Sequence, residues 1–148
     1  MLSGFRPHAW PMPPNFPPRT SLPAFALLLL GCLGIAAAWV LLALAIDRQA
    51  AWMAVVAALD AVLMLRLGRM RAGWPRAASA VLGTALAIAL ANWAIVSGQM
   101  GKPMGLLPWE SMFRLGPDFI WTLTLLANDH VDFAWWGAAL VVAAVAAR

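Results

Sequence analysis

Charge is the scarcest commodity in this 148-residue chain: only 11% of its residues are Asp, Glu, Lys or Arg. Soluble domains carry about a quarter charged residues and roughly half apolar ones. Here 64% are apolar and the mean hydropathy is +0.81. That excludes an ordinary soluble globular protein. It equally excludes a long disordered chain, which needs low hydrophobicity and high net charge. Cysteine is nearly missing. Cys32 alone makes no intrachain disulfide, and a CxxC redox or zinc site is excluded. Tyrosine is absent, against nine tryptophans. Acidic residues are few, six against ten Lys+Arg, for a net charge of +4 and a pI of about 11.1. In a soluble chain that balance would raise nucleic-acid binding. Here the arginines flank apolar runs, so membrane topology accounts for them and no nucleic-acid partner is expected.

What is present is a set of apolar runs in a single domain-sized chain. Residues 1–22 hold six of the eleven prolines, which remove backbone donors and fix φ. An extended, polyproline-II-like tail is expected there. Its PxxP spacings, Pro11–Pro14 and Pro14–Pro17, interleave with Trp10 and Phe16 and would suit an aromatic groove or serve as a plain linker. Four spans follow, at about 23–46, 50–65, 77–100 and 131–147. The first covers about 36 Å at helical rise, enough to cross a ~30 Å hydrocarbon core. The second and fourth are short. The expected fold is an all-α integral membrane protein with four transmembrane helices.

Arginine placement orients this set. With both termini inside, Arg6, Arg19, Arg66, Arg69, Arg71, Arg76 and Arg148 fall on one side and only Arg48, Lys102 and Arg114 on the other. The positive-inside rule then gives N-in and C-in. Trp52, Trp93, Trp135 and Trp136 approach the outer interface and Trp74 the inner one, as in aromatic belts. Richness in Ala, Arg and Trp points to a GC-rich bacterial genome, hence to an inner membrane. The outer segment 101–130 carries two pieces too short to span, expected as amphipathic helices near 109–115 and 118–127 with a bend at Gly116-Pro117.

Asp60 is the sharpest residue. A carboxyl inside a span costs about 2.5–3.5 kcal/mol on insertion scales, and such residues default to function. It suits a proton or ion site, or a partner for a basic residue of another chain. The structural alternative is a protonated Asp60 bonded to Thr84, which lies level with it in the third span, or to a backbone carbonyl. Asn92 is the second intramembrane polar residue, level with Trp39, whose indole N–H is a candidate donor to it. Small residues recur every fourth position: Ser79, Gly83, Ala87 and Ala91 in the third span, Gly34 and Ala38 in the first, Ala139, Ala143 and Ala147 in the fourth. Such stripes let helix backbones approach closely, within one chain or between chains.

An outer acidic cluster, Glu110, Asp118, Asp129, His130 and Asp132, is the only enzyme-like material. Carboxylates beside a histidine can do acid–base work or hold a metal. Asp129 and Asp132 equally suit capping of the fourth span. No HExxH, GxSxG or Gly-rich phosphate loop is present, so no catalytic residue, metal or cofactor is expected. These residues favour a non-enzymatic subunit or accessory protein surrounded by lipid, with a membrane-protein partner or a second copy of itself. An oligomeric transporter or channel using Asp60 is the alternative, and a membrane enzyme using the acidic cluster a third.

Overall fold

The computed structural model describes residues 22–101, 103, 105 and 116–148. The Pro-rich tail, the expected helix near 109–115, Glu110, Arg114 and Lys102 lie outside the described residues. Among the described residues there are five helices and no strand: α1 (Leu22–Ile46), α2 (Met53–Leu67), α3 (Trp74–Gly101), α4 (Pro117–Ala127) and α5 (His130–Ala146).

Each helix end has a local cause. Pro23 sits in the first turn of α1, where its missing N–H costs nothing. After Ile46 the chain turns at Asp47, whose φ of 49° is left-handed, and the Arg48 N–H donates to the Ala43 carbonyl at 3.3 Å. This is the six-to-one bond of a Schellman end. α2 closes the same way: Met70 N–H reaches Leu65 O at 3.1 Å and Arg69 N–H reaches Arg66 O at 2.9 Å, with Arg69 at φ 54°. α3 starts at Trp74-Pro75, three residues before the expected boundary, because a left-handed Gly73 (φ 139°) turns the chain and Pro75 preorganises the first turn. The second helix begins at Met53 rather than residue 50, since 51–52 form a turn.

α2 and α3 pack together, and α1 and α5 flank that pair on opposite sides; α4 rests on α3. Consecutive long helices alternate in direction. One end collects the start of α1, the end of α2, the start of α3 and the end of α5: Gly68 meets Ala24, and arginines of α2 and α3 bind the last carbonyls of α5.

The core is built from small side chains. Ala54, Ala57, Ala58 and Ala61 of α2, Ala80, Gly83, Ala87 and Ala91 of α3, and Ala139 and Ala143 of α5 are buried, as is Ala147 just after it. Large apolar side chains point outward: Leu30 is 68% exposed, Leu41 71% and Leu82 70%. A soluble domain does the reverse, hiding its large aliphatics. Small-in, large-out packing suits surroundings that are themselves apolar.

α1 and α3, at 25 and 28 residues, are long and apolar enough to cross a membrane. α4 and α5 together make a third candidate, bent by 106° at the break between them. α2 and α5 alone, at 15 and 17 residues, reach about 22 and 26 Å.

Candidate functional site

Asp60 sits on α2 where that helix crosses α1. Its carboxyl lies over Gly31: a Cβ on Gly31 would fall 2.6 Å from Asp60 Oδ2 and 2.6 Å from Met64 Cγ. A side chain at position 31 would force Asp60 and Met64 to shift. Oδ2 is buried and has no hydrogen-bond partner among the described residues, while the residue as a whole is half-buried. The expected bond to Thr84 is not made. Thr84 is fully buried, and its hydroxyl donates to the Ala80 carbonyl of its own helix at 2.8 Å. Level height along two helices did not suffice, because a threonine in a helix has an acceptor one turn back within reach.

The α1–α3 crossing begins at the next residue of α1. Cys32 Sγ donates to the Gly83 carbonyl at 3.2 Å, and a Cβ on Gly83 would lie 2.8 Å from Leu28 Cδ1. The small-residue stripe of α3 thus does its work inside the chain at Gly83, Ala87 and Ala91, all buried. Ser79 is half-buried and bonds back to Pro75 O at 2.8 Å. The stripe of α1 does not: Gly34 and Ala38 are exposed, and nothing lies within 4 Å of a Cβ built on Gly34.

A second polar node lies at the opposite end from the arginines. Asn92 of α3 accepts at Oδ1 from Asn128 Nδ2 at 3.4 Å, and its own Nδ2 donates to Ile88 O at 3.0 Å. Asn128 also donates to Thr124 O at 2.8 Å. Both asparagines are buried. This corrects the expected Trp39–Asn92 bond: Trp39 is buried, but its indole N–H has no partner among the described residues. Asn128 also ends α4, its N–H bonding Thr124 O at 3.2 Å. No pattern in the chain connects two residues 36 positions apart.

The acidic cluster separates. Asp129 and Asp132 form a capping box on α5: His130 N–H donates to Asp129 Oδ1 at 2.7 Å and Asp129 N–H to Asp132 Oδ2 at 3.0 Å. His130 Nε2 stands 3.8 Å from Asp129 Oδ1 at an exposed position. Asp118 opens α4, a helix length of about 15 Å from Asp129. Among the described residues no three His, Cys, Asp or Glu gather as a metal site.

The arginines at the other end do more than the charge pattern indicated. Arg66 donates to Ala146 O at 2.9 Å; Arg76 donates to Ala147 O at 2.6 Å, to Arg148 O at 3.1 Å and to Met70 O at 3.3 Å. α5 has no basic residue in its own last turn. Its terminal carbonyls and the negative end of its dipole are therefore satisfied from α2 and α3. Arg148 lies over the Trp74 ring, 5.7 Å from its centroid.

No family model, no curated protein and no solved structure matches this chain.

Proposed function

We propose that this is a small four-span bacterial inner-membrane protein, N-in and C-in, that serves as a non-enzymatic subunit of a larger membrane assembly and docks a partner helix beside Asp60. One observation carries the reading: Asp60 Oδ2 is covered by Gly31 and unpartnered among the described residues, yet the residue as a whole is only half-buried, so part of it stays accessible from outside the bundle. Such a group in hydrocarbon is costly unless something supplies a donor. Its neighbours on α2, Val56, Leu59 and Leu63, are exposed apolar residues that offer a partner helix a packing surface. The donor would be a basic or amide side chain of that helix at the depth of Asp60, about 9 Å from Arg66.

Gentle-detergent purification with mass measurement tests this. The wild-type chain is expected to carry a larger partner, Asp60→Leu to lose it while keeping its fold, and a photocrosslinker at Val56 or Leu63 to capture it. A homo-oligomer conducting protons or cations, silenced by Asp60→Asn, would instead establish the transporter or channel reading. A monomer indifferent to Asp60→Leu would refute both.

The orientation is supported by the seven-to-three arginine and lysine split and by the shared end of the 66–76 loop and the C-terminus. A reporter active only outside the membrane is expected to be silent after Arg148 and active within 101–116. An active fusion after Arg148 would overturn the even number of crossings.

A further inference from the structure

Five arginines gather at one end of the bundle, and an apolar seam between α3 and α5 leads away from them to a half-open cavity of about 370 Å³. We propose that this seam binds an anionic phospholipid, its phosphate among the arginines and one acyl chain ending in the cavity. Such binding presupposes that the helices span a bilayer; it is independent of Asp60, whose seat is on α1.

Charge selects the headgroup. Arg66, Arg69, Arg71, Arg76 and Arg148 share this end, and no Asp or Glu of the described residues accompanies them. Asp47, Asp118, Asp129 and Asp132 lie at the other end, and Asp60 lies within α2. Arg66 and Arg76 are engaged with backbone oxygens. Arg69, Arg71 and Arg148 are exposed, and their guanidiniums have no acceptor among the described residues. A guanidinium is a planar fork that matches phosphate oxygens in pairs, and basic sites at the ends of membrane helices hold anionic headgroups. Trp74, 76% exposed beside Arg148, is a residue suited to headgroup level. A zwitterionic lipid brings its own cation to this end, and a neutral apolar ligand leaves the arginines unmatched.

The seam joins the two ends by helical spacing. Ala85 and Ala89 of α3 and Leu140 of α5 line the cavity, whose walls are almost wholly apolar. From Leu140 a step of four along α5 reaches half-buried Ala144, and a second step reaches Arg148. From Ala85 the exposed positions of α3 run through Leu82 and Ala78 to Trp74. The two tracks meet where Arg148 lies over the Trp74 ring, 5.7 Å from its centroid. Alanine at 78, 85, 89 and 144 leaves room along the way for a chain. At helical rise Ala85 stands about 14 Å from Arg76, and Ile88, also in the cavity wall, about 18 Å. One leaflet of a ~30 Å hydrocarbon core is about 15 Å deep. An acyl chain from a headgroup level with Arg76 therefore ends in the cavity.

The full chain reconstituted with equimolar phosphatidylglycerol and phosphatidylcholine tests this. Flotation of the vesicles after an alkaline wash comes first; a chain that washes off refutes the spanning reading and this site with it. An embedded chain, moved to nanodiscs of the same lipids for native mass measurement, is expected to retain a single phosphatidylglycerol, favoured over phosphatidylcholine about fivefold for each arginine engaged. Arg148→Gln should lower that preference about fivefold, and Arg48→Gln, at the other end, should leave it unchanged. Ala85→Phe fills the seam from an exposed position without altering charge and should abolish retention; Ala89→Phe does the same if the first variant folds poorly. Equal retention of the two lipids, retention that survives both filling variants, or a preference indifferent to Arg148→Gln overturns the site while leaving the chain embedded. So does a free fatty acid in the phospholipid's place, identified by its mass.

Discussion

Asp60 Oδ2 rests directly over the Cα of Gly31, so the acid of α2 and the missing side chain of α1 are a matched pair. A methyl group at Gly31 would overlap both the carboxyl and Met64. Gly31→Ala is therefore expected to destabilise the bundle by about 1–3 kcal/mol, the usual cost of overpacking. Asp60→Ala in the same chain should recover part of that loss. Unfolding in detergent, run as a double-mutant cycle, measures it; simple additivity of the two penalties would break the pairing.

At the end of α2, adjacent residues predict effects of opposite sign. Gly68 has an ordinary φ of −69°, yet a Cβ there would lie 2.6 Å from Ala24 Cβ and would overlap the Ala24 backbone. Its neighbour Arg69 occupies the left-handed position that glycine usually fills in such a motif. Glycine is used here for close approach, and the conformational cost falls on the arginine. Gly68→Ala should destabilise, whereas Arg69→Gly should stabilise by roughly 1 kcal/mol. Equal signs in a thermal melt would contradict this account.

Arg76 bridges three carbonyls, two of them at the end of α5. Arg76→Gln is expected to cost about 1–2 kcal/mol and to raise amide exchange in the last turn of α5 selectively. Arg76→Lys should recover little, because one ammonium cannot reproduce a planar fork. Full rescue by lysine would mean that charge alone matters.

The Asn92–Asn128 contact at 3.4 Å is a side-chain bridge from α3 to the α4–α5 turn. Asn128→Ala should free α4 from α3, raising exchange across Pro117–Ala127 while leaving α1–α3 protected. The coupling to Asn92→Ala is expected at about 0.6–2 kcal/mol, the range for amide bonds between membrane helices. Unchanged exchange in α4 would assign its docking to Thr124 and the apolar contacts instead.

Much of this architecture is written in local pattern. The helix expected near 118–127 and found at Pro117–Ala127, and the Asp129–Asp132 capping of the next one, could be anticipated because proline and aspartates act within a few residues of themselves. The buried stripe Ala139, Ala143, Ala147 likewise follows a fixed four-residue step. Partner choice was not legible. Gly34 and Ala38 carry the same spacing as Gly83 and Ala87, yet the first pair faces outward and the second packs.

Composition and periodicity, then, were enough for helices, their caps and their apolar character, since these depend on residues one or two turns apart. Tertiary structure alone chose what each polar group meets. Thr84 turned back to Ala80, Asn92 found Asn128, Asp60 settled on Gly31, and Arg76 capped a helix 71 residues away. Such meetings depend on helix rotation and crossing, set by the sum of many small packing contacts across the bundle. No single window of sequence contains that sum.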